Sequence, residues 1–292
     1  MSSSAFLQFV FSGLTSGAVY AFVALAFSVT FSSSGIVNFA QGQFVMVGGM
    51  VAASLNTAFD VPVFPAMMLG VAASGVAGLV MGAGFILPML HLGEFTLILI
   101  TLGLGIVFEA VALIVWGTDP LSLASLIDTD ALRVGGASLT IDSMIIILMI
   151  FVTLAGYYVF ARFTRWGRAM RATSIDPSVA ASLGVNVSLT IVLAFVLSAF
   201  FGGLAGALLT PLISTGAQTG LLMTLKGFTA AVLGGIGSPI GSVAGGFLLG
   251  MIEAMTTGFI SSTYQNAIAL TLLILFLMVR PEGLFTKRSR QA

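Results

Sequence analysis

Two carboxylates stand alone in long apolar runs, Glu109 in "GLGIVFEAVALIVW" and Glu253 in "FLLGMIEAMTTG". An ionisable group inside a bilayer is costly to bury, so it faces a cavity or a partner and marks a site by default. Each carboxyl could meet a ligand ammonium, hold a proton and stay neutral, or hydrogen-bond a neighbouring helix. Three amides, Asn38, Gln41 and Gln43, fall together in "GIVNFAQGQF". A helix break there would free backbone groups to line a cavity, and the amides would add donors and acceptors beside them. Phe, Met and Val surround them, as suits a site with an apolar wall and few polar groups. Asn38, Gln41, Gln43, Glu109 and Glu253 are therefore the candidate lining of a path through the membrane. Lys226 opens a short apolar segment, from which it could reach the outer interface or a ligand carboxylate.

A second chemistry is electrostatic. In "RFTRWGRAMRATSIDPSVAASLGVNV" (162–187), Arg162, Arg165, Arg168 and Arg171 fall three apart. At this spacing they drift only about 60° per step around a helix, so residues 162–171 are expected to extend the preceding span with one basic stripe. "SIDPSVAASLG" then reads as a separate short helix, with Asp176 as N-cap, Pro177 at the first position and Gly184 just past the end. Ile175, Val179 and Leu183 give it a narrow apolar edge. So short a helix does not hold by itself in water, and it is expected to dock on something. A basic loop serving only as a topology signal would explain the arginines but not the capped helix.

Other chemistries are excluded. No G-x-x-x-x-G-K-[ST] sequence occurs, and the only lysines are Lys226 and Lys287, so no P-loop holds ATP here. There is one histidine, His91, in the connection "LHLGEF", and no cysteine. A zinc site, a His-based triad and a disulfide are all unsupported, so the expected sets of metal-binding and catalytic residues are empty. A net charge of zero speaks against nucleic acid as a partner.

The elements that must position these groups are membrane helices. Of the 292 residues, 58% are hydrophobic and only 7% are charged, with a mean hydropathy of +1.15. That is too few charges for the surface of a soluble domain this size. The expected spans are 6–31, 43–55, 63–89, 95–116, 143–160, 189–209, 222–233, 240–260 and 267–279, of which the second and seventh read as too short to cross. The first is expected to begin a membrane helix, with no cleavable signal before it. The fold class is thus all-α and polytopic, one domain over 1–292 with eight or nine transmembrane helices, some short or broken. Eight of the ten basic residues lie in 162–171 and the tail 280–292, whereas 117–142 holds four Asp and one Arg. The positive-inside rule puts the basic segments in the cytoplasm and 117–142 outside. Nine spans would put the N-terminus outside and the C-terminus inside. Gly13/Gly17, Gly78/Gly82, Gly202/Gly206 and Gly246/Gly250 are spaced for close helix packing. A small-residue helix, a polar break and a short span occur twice, around "SSSGIVNFAQGQ" and around "STGAQTG", hinting at an inverted repeat.

Three blocks resemble one family along nearly the whole chain: "SSGIVNFAQGQFVMVGGM", "GRAMRATSIDPSVAASLGVNVSLTIVLAFVLSAFFGGLAGALL" and "LKGFTAAVLGGIGSPIGSVAGGFLLGMIE". Each is similar to the matching block of ABC-importer permeases of the branched-chain amino acid class. The resemblance implies a bacterial inner-membrane permease that pairs with a second, similar permease. Two ATP-binding cassette subunits would bind ATP and Mg, and a periplasmic or lipid-anchored binding protein would deliver an apolar amino acid. The ATPase-coupling set implied is Arg168, Arg171, Asp176, Pro177, Ala180, Leu183 and Gly184, with the basic cluster also facing anionic membrane lipid. Relatives of the class carry urea or short amides, and a self-contained secondary transporter is the alternative from another class.

Overall fold

A computed structural model of the chain describes residues 3–127 and 131–259, and beyond them 267, 271, 274, 276, 278, 283 and 284. Helix α1 (Ser3–Ser34) ends at Gly35, whose positive φ of 71° turns the chain into the extended break before α2 (Gln41–Phe59). Helix α3 runs over Val63–Leu92 and widens to a π-helix at Val80–Ile86. Helix α4 (Glu94–Trp116) is followed by a loop with the hairpin β1 (Leu132–Val134) and β2 (Ala137–Leu139), turned at Gly135 and Gly136. Then come α5 (Ile141–Phe163), α6 (Arg165–Ile175), α7 (Pro177–Ser182), α8 (Val187–Leu209), α9 (Thr219–Gly234) and α10 (Pro239–Phe259).

Six of these helices, α1, α3, α4, α5, α8 and α10, are long and apolar enough to cross a bilayer. The chain is a polytopic, mainly helical membrane protein. The expected span at 267–279 lies largely outside the described residues. Two lengths differ from expectation. Helix α2 has 19 residues instead of thirteen, which at 1.5 Å per residue is about 28 Å and nearly the hydrocarbon thickness. Its first two thirds, from Gln41 to Ala53, are almost continuously buried by protein. It can therefore keep amides and glycines that a lipid-facing helix would not, and hydropathy reads it too short for that reason. Helix α9 has 16 residues, about 24 Å, and remains the shorter of the two.

Glycines set the packing. A Cβ on Gly250 of α10 would collide with the Gly17 backbone of α1, and one on Gly206 of α8 with the Val45 carbonyl of α2. Gly78 meets α8 at Phe195 and Ala199 in the same way. Close backbone approach of this kind is what drives association where lipid offers no hydrophobic gain. Helix α1 becomes the centre of the bundle, with Ala18 to Phe27 continuously buried against α5, α8, α9 and α10. Helices α4 and α5 lie at the periphery and expose Phe95, Ile106, Ile114, Leu148 and Phe151.

Candidate functional site

The break between α1 and α2 is a dense polar joint. Asn38 Oδ1 accepts from the Ala40 N–H (3.0 Å), while Asn38 Nδ2 donates to Gln41 Oε1 (3.4 Å). Gln41 Nε2 donates to the Ser198 carbonyl of α8 (3.1 Å). The Phe39 N–H donates to Thr101 Oγ1 of α4 (3.1 Å), and the Gly42 N–H to Thr224 Oγ1 of α9 (3.0 Å). Backbone groups freed by the break are thus met by side chains from two other helices, α4 and α9, while Gln41 ties the break to the backbone of α8, as an apolar surround requires. Asn38 and Gln41, both fully buried, spend their amides on this joint.

Gln43 differs. It is buried, yet its Oε1 has no hydrogen-bond partner among the described residues, and such an atom asks for an explanation. Its amide lies against Gly220 of α9, where a Cβ would collide with it, and near Gly105 of α4. Glu109 is one helical turn beyond Gly105, on the same side of α4. It is half-buried and makes no ion pair or hydrogen bond among the described residues.

Glu253 is closed off instead. It is 2% exposed, and Lys226 Nζ donates to its Oε2 at 2.8 Å and its Oε1 at 3.0 Å. The Tyr20 hydroxyl donates to Glu253 Oε2 (2.7 Å) and accepts from Lys226 Nζ (2.9 Å). The ammonium also lies 5.0 Å from the Tyr20 ring centroid, within cation–π range. The expectation that Lys226 reaches the outer interface is corrected, because its ammonium turns inward and ties α9 to α1 and α10. A counter-charge within 3 Å outweighs the gain from snorkelling. Tyr20 was not legible as a partner, since one tyrosine in an apolar run gives no signal of its own.

The basic segment is two helices, not one stripe. Thr164 breaks it: its Oγ1 accepts from the Gly167 N–H (3.0 Å) as N-cap of α6 and donates to the Phe160 carbonyl (2.7 Å). Arg162 stays on α5, while Arg165, Arg168 and Arg171 ride on α6. Met170 and Thr173 anchor α6 inward, Thr173 Oγ1 lying 3.1 Å from Thr190 Oγ1 of α8.

Helix α7 has the expected caps. Asp176 Oδ1 accepts from the Ser178 hydroxyl (2.7 Å) and from the Ser178 and Val179 N–H groups (2.8 and 3.0 Å). These bonds, the Ser178 hydroxyl first, hold its carboxyl below the usual carboxylate range. The lowered folded value means that the charged cap persists at neutral pH and is lost only as pH falls through that value. At the other end the Gly184 N–H reaches Ala181 and the Val185 N–H reaches Ala180, a Schellman closure with Gly184 at φ +85°. Ile175, Val179 and Leu183 are exposed, at 87%, 53% and 78%. Ala180 is buried against the chain's own helices, so it seats α7. Pro177 and Arg168 are exposed.

The family model for the branched-chain amino acid transport system permease component matches residues 9–279. The chain belongs to this family. It is 31% identical over 293 residues to the high-affinity branched-chain amino acid transport system permease protein LivH of Escherichia coli (strain K12), covering 96% of this chain and 95% of that one. The protein of the same name from Salmonella typhimurium is 30% identical with the same coverage. The corresponding permease protein BraD of Pseudomonas aeruginosa is 29% identical over 295 residues. Among solved structures, PsaBC from Streptococcus pneumoniae in complex with Fab aligns over 94% of this chain and 93% of that chain, with a TM-score of 0.52 and 16% identity. That likeness shows a shared fold and nothing of substrate. The family and these relatives are permease components of transport systems, not enzymes.

Proposed function

We propose that this permease forms one half of the path of an ATP-driven importer for branched-chain or related amino acids, and that α7 transmits the motion of an ATPase subunit. The observation behind this reading is the capped α7, whose Val179 and Leu183 continue an exposed apolar edge from Ile175 of α6. A helix of six residues, fixed at both ends and anchored through Ala180, leaves Val179 and Leu183 exposed beside Ile175 of α6 among the described residues. Such an edge suits a groove on a partner. A second permease would cover the exposed faces of α4 or α5, two ATP-binding cassette subunits would bind ATP and Mg, and a periplasmic or lipid-anchored protein would deliver substrate. Gln43 and Glu109, which keep unengaged acceptor oxygens in the bundle, would line the path, both accepting from a substrate ammonium. The architecture would comprise eight or nine crossings, with α1–break–α2 and α8–break–α9 as the related units of an inverted repeat.

The test is reconstitution with and without the ATPase subunits. Uptake of labelled leucine should need both the ATPases and ATP, and Glu109→Gln should raise the half-saturating concentration about tenfold while assembly persists. The second reading, a self-contained secondary transporter, is favoured by one observation. Tyr20, which bonds both members of the Lys226–Glu253 pair, also lines a cavity of about 320 Å³ together with Ser12, Ser16 and Thr140, so protons would have an approach to the pair through it. Uptake that persists without ATPases, driven by a proton gradient, would select that reading.

Sidedness has its own test, because the chain lacks cysteine. Ser125 and Ser174 are both exposed. Ser125→Cys is expected to react with an impermeant maleimide from the periplasm, and Ser174→Cys only once the cytoplasmic face is opened. The reverse pattern would invert the orientation and remove α7 from the ATPase side.

A further inference from the structure

We propose that the groove between α5, α6 and the start of α10 is a binding site for an anionic phospholipid, with its phosphate on Arg162 and Arg171 and an acyl chain along α5. The groove has a volume of about 890 Å³, and both arginines line it. Neither makes an ion pair among the described residues. Arg162 is already oriented: its Nη1 donates to the Tyr158 hydroxyl at 2.9 Å, and its guanidinium lies 6.0 and 5.9 Å from the ring centroids of Tyr158 and Phe163. One of its five N–H donors is used there, leaving the rest of a planar fork that matches phosphate oxygens.

Below the charges the wall turns apolar, through Leu154 and Phe151 on α5 and Ile240 on α10. From Arg162 to Phe151 is eleven residues, about 16 Å along the helix at 1.5 Å each. That matches half of the roughly 30 Å hydrocarbon thickness, the depth reached by one leaflet's chains. Charge and depth together select the occupant. Free phosphate would use the arginines and leave the wall empty, while a zwitterionic lipid would fill the wall but bring its own cation to the arginines. A lipid with a net negative headgroup satisfies both, as basic pockets between membrane helices do. The assignment needs this end of α5 to lie at a membrane surface, but it does not depend on the transport reading.

The full chain purified in detergent, titrated with fluorescent phosphatidylglycerol and with phosphatidylcholine of the same chains, tests this directly. Phosphatidylglycerol should bind at least about tenfold tighter. Arg162→Gln/Arg171→Gln should abolish that preference. Arg165→Gln/Arg168→Gln removes the same charge outside the groove and should keep it. Ala155→Trp, which narrows the apolar wall without touching an arginine, should weaken both lipids and so covers the case where the arginine variant misfolds. Equal losses in the two double variants would make the effect one of surface charge and overturn the site. Unchanged binding in Ala155→Trp would overturn it too. Displacement of the lipid by inorganic phosphate, at an ionic strength matched with chloride, would show a free-anion site and overturn the lipid assignment.

Discussion

Lys226→Met should be the most damaging single change in the bundle, destabilising the purified protein by about 3–5 kcal/mol. It takes from Glu253, 2% exposed, the ammonium that donates to both of its carboxylate oxygens. A buried carboxylate deprived of that counter-charge loses a large part of its compensation for desolvation. Glu253→Gln should be milder, because the side chain of Lys226 is 19% exposed and its ammonium keeps the Tyr20 oxygen and ring. Combining Lys226→Met with Glu253→Gln should recover most of the loss, since a buried ion pair replaced by neutral groups of similar volume is often close to neutral. Denaturation of the three variants in one detergent measures the order, and uptake separates the roles. If the pair only braces α1, α9 and α10, the stable double variant transports within a few-fold of the parent. A double variant that is folded, assembled and inactive would show that the pair takes part in transport. Equal stability of Lys226→Met and the parent would mean that the pair contributes nothing to the fold.

Leu183→Asp should insert and pair normally yet bind ATPase subunits at least tenfold more weakly. A hot-spot residue contributes about 2 kcal/mol or more, and roughly 1.4 kcal/mol is a factor of ten. Leu183 is 78% exposed, so the change costs the isolated permease little. Any defect therefore reports on the partner. Asp176→Ala should give a partial version of the same defect, since it loosens the first turn of α7 without altering the apolar edge. Co-purification and substrate-stimulated hydrolysis in the complex are the readouts. Both at parental levels in Leu183→Asp would remove α7 from the coupling role, and the importer reading would lose its principal structural support.

What the chain shows without its fold is what rests on local rules. Long apolar runs must become helices in a bilayer because their backbone has no other partner there, so most of the spans could be read directly. The caps of α7 were equally legible, because Asp176, Pro177 and Gly184 act within a few residues of one another. The glycine spacings announced close packing, though not which helices would meet.

Tertiary structure decided the rest. Tyr20, Lys226 and Glu253 are separated by up to 233 positions, and no sequence pattern states that α9 turns its lysine toward α1 and α10. Helix α2 looked short because protein surrounds its first two thirds, and burial by protein relaxes the hydropathy that lipid would demand. Thr164 splits the basic stripe because its hydroxyl caps α6 while bonding back to α5, a choice that spacing alone left open. Gln43 and Glu109 stood out only after Asn38, Gln41 and Glu253 proved to be occupied by long-range bonds. Local chemistry is written in neighbouring residues, whereas the pairing of buried polar groups depends on which helices the bundle brings together.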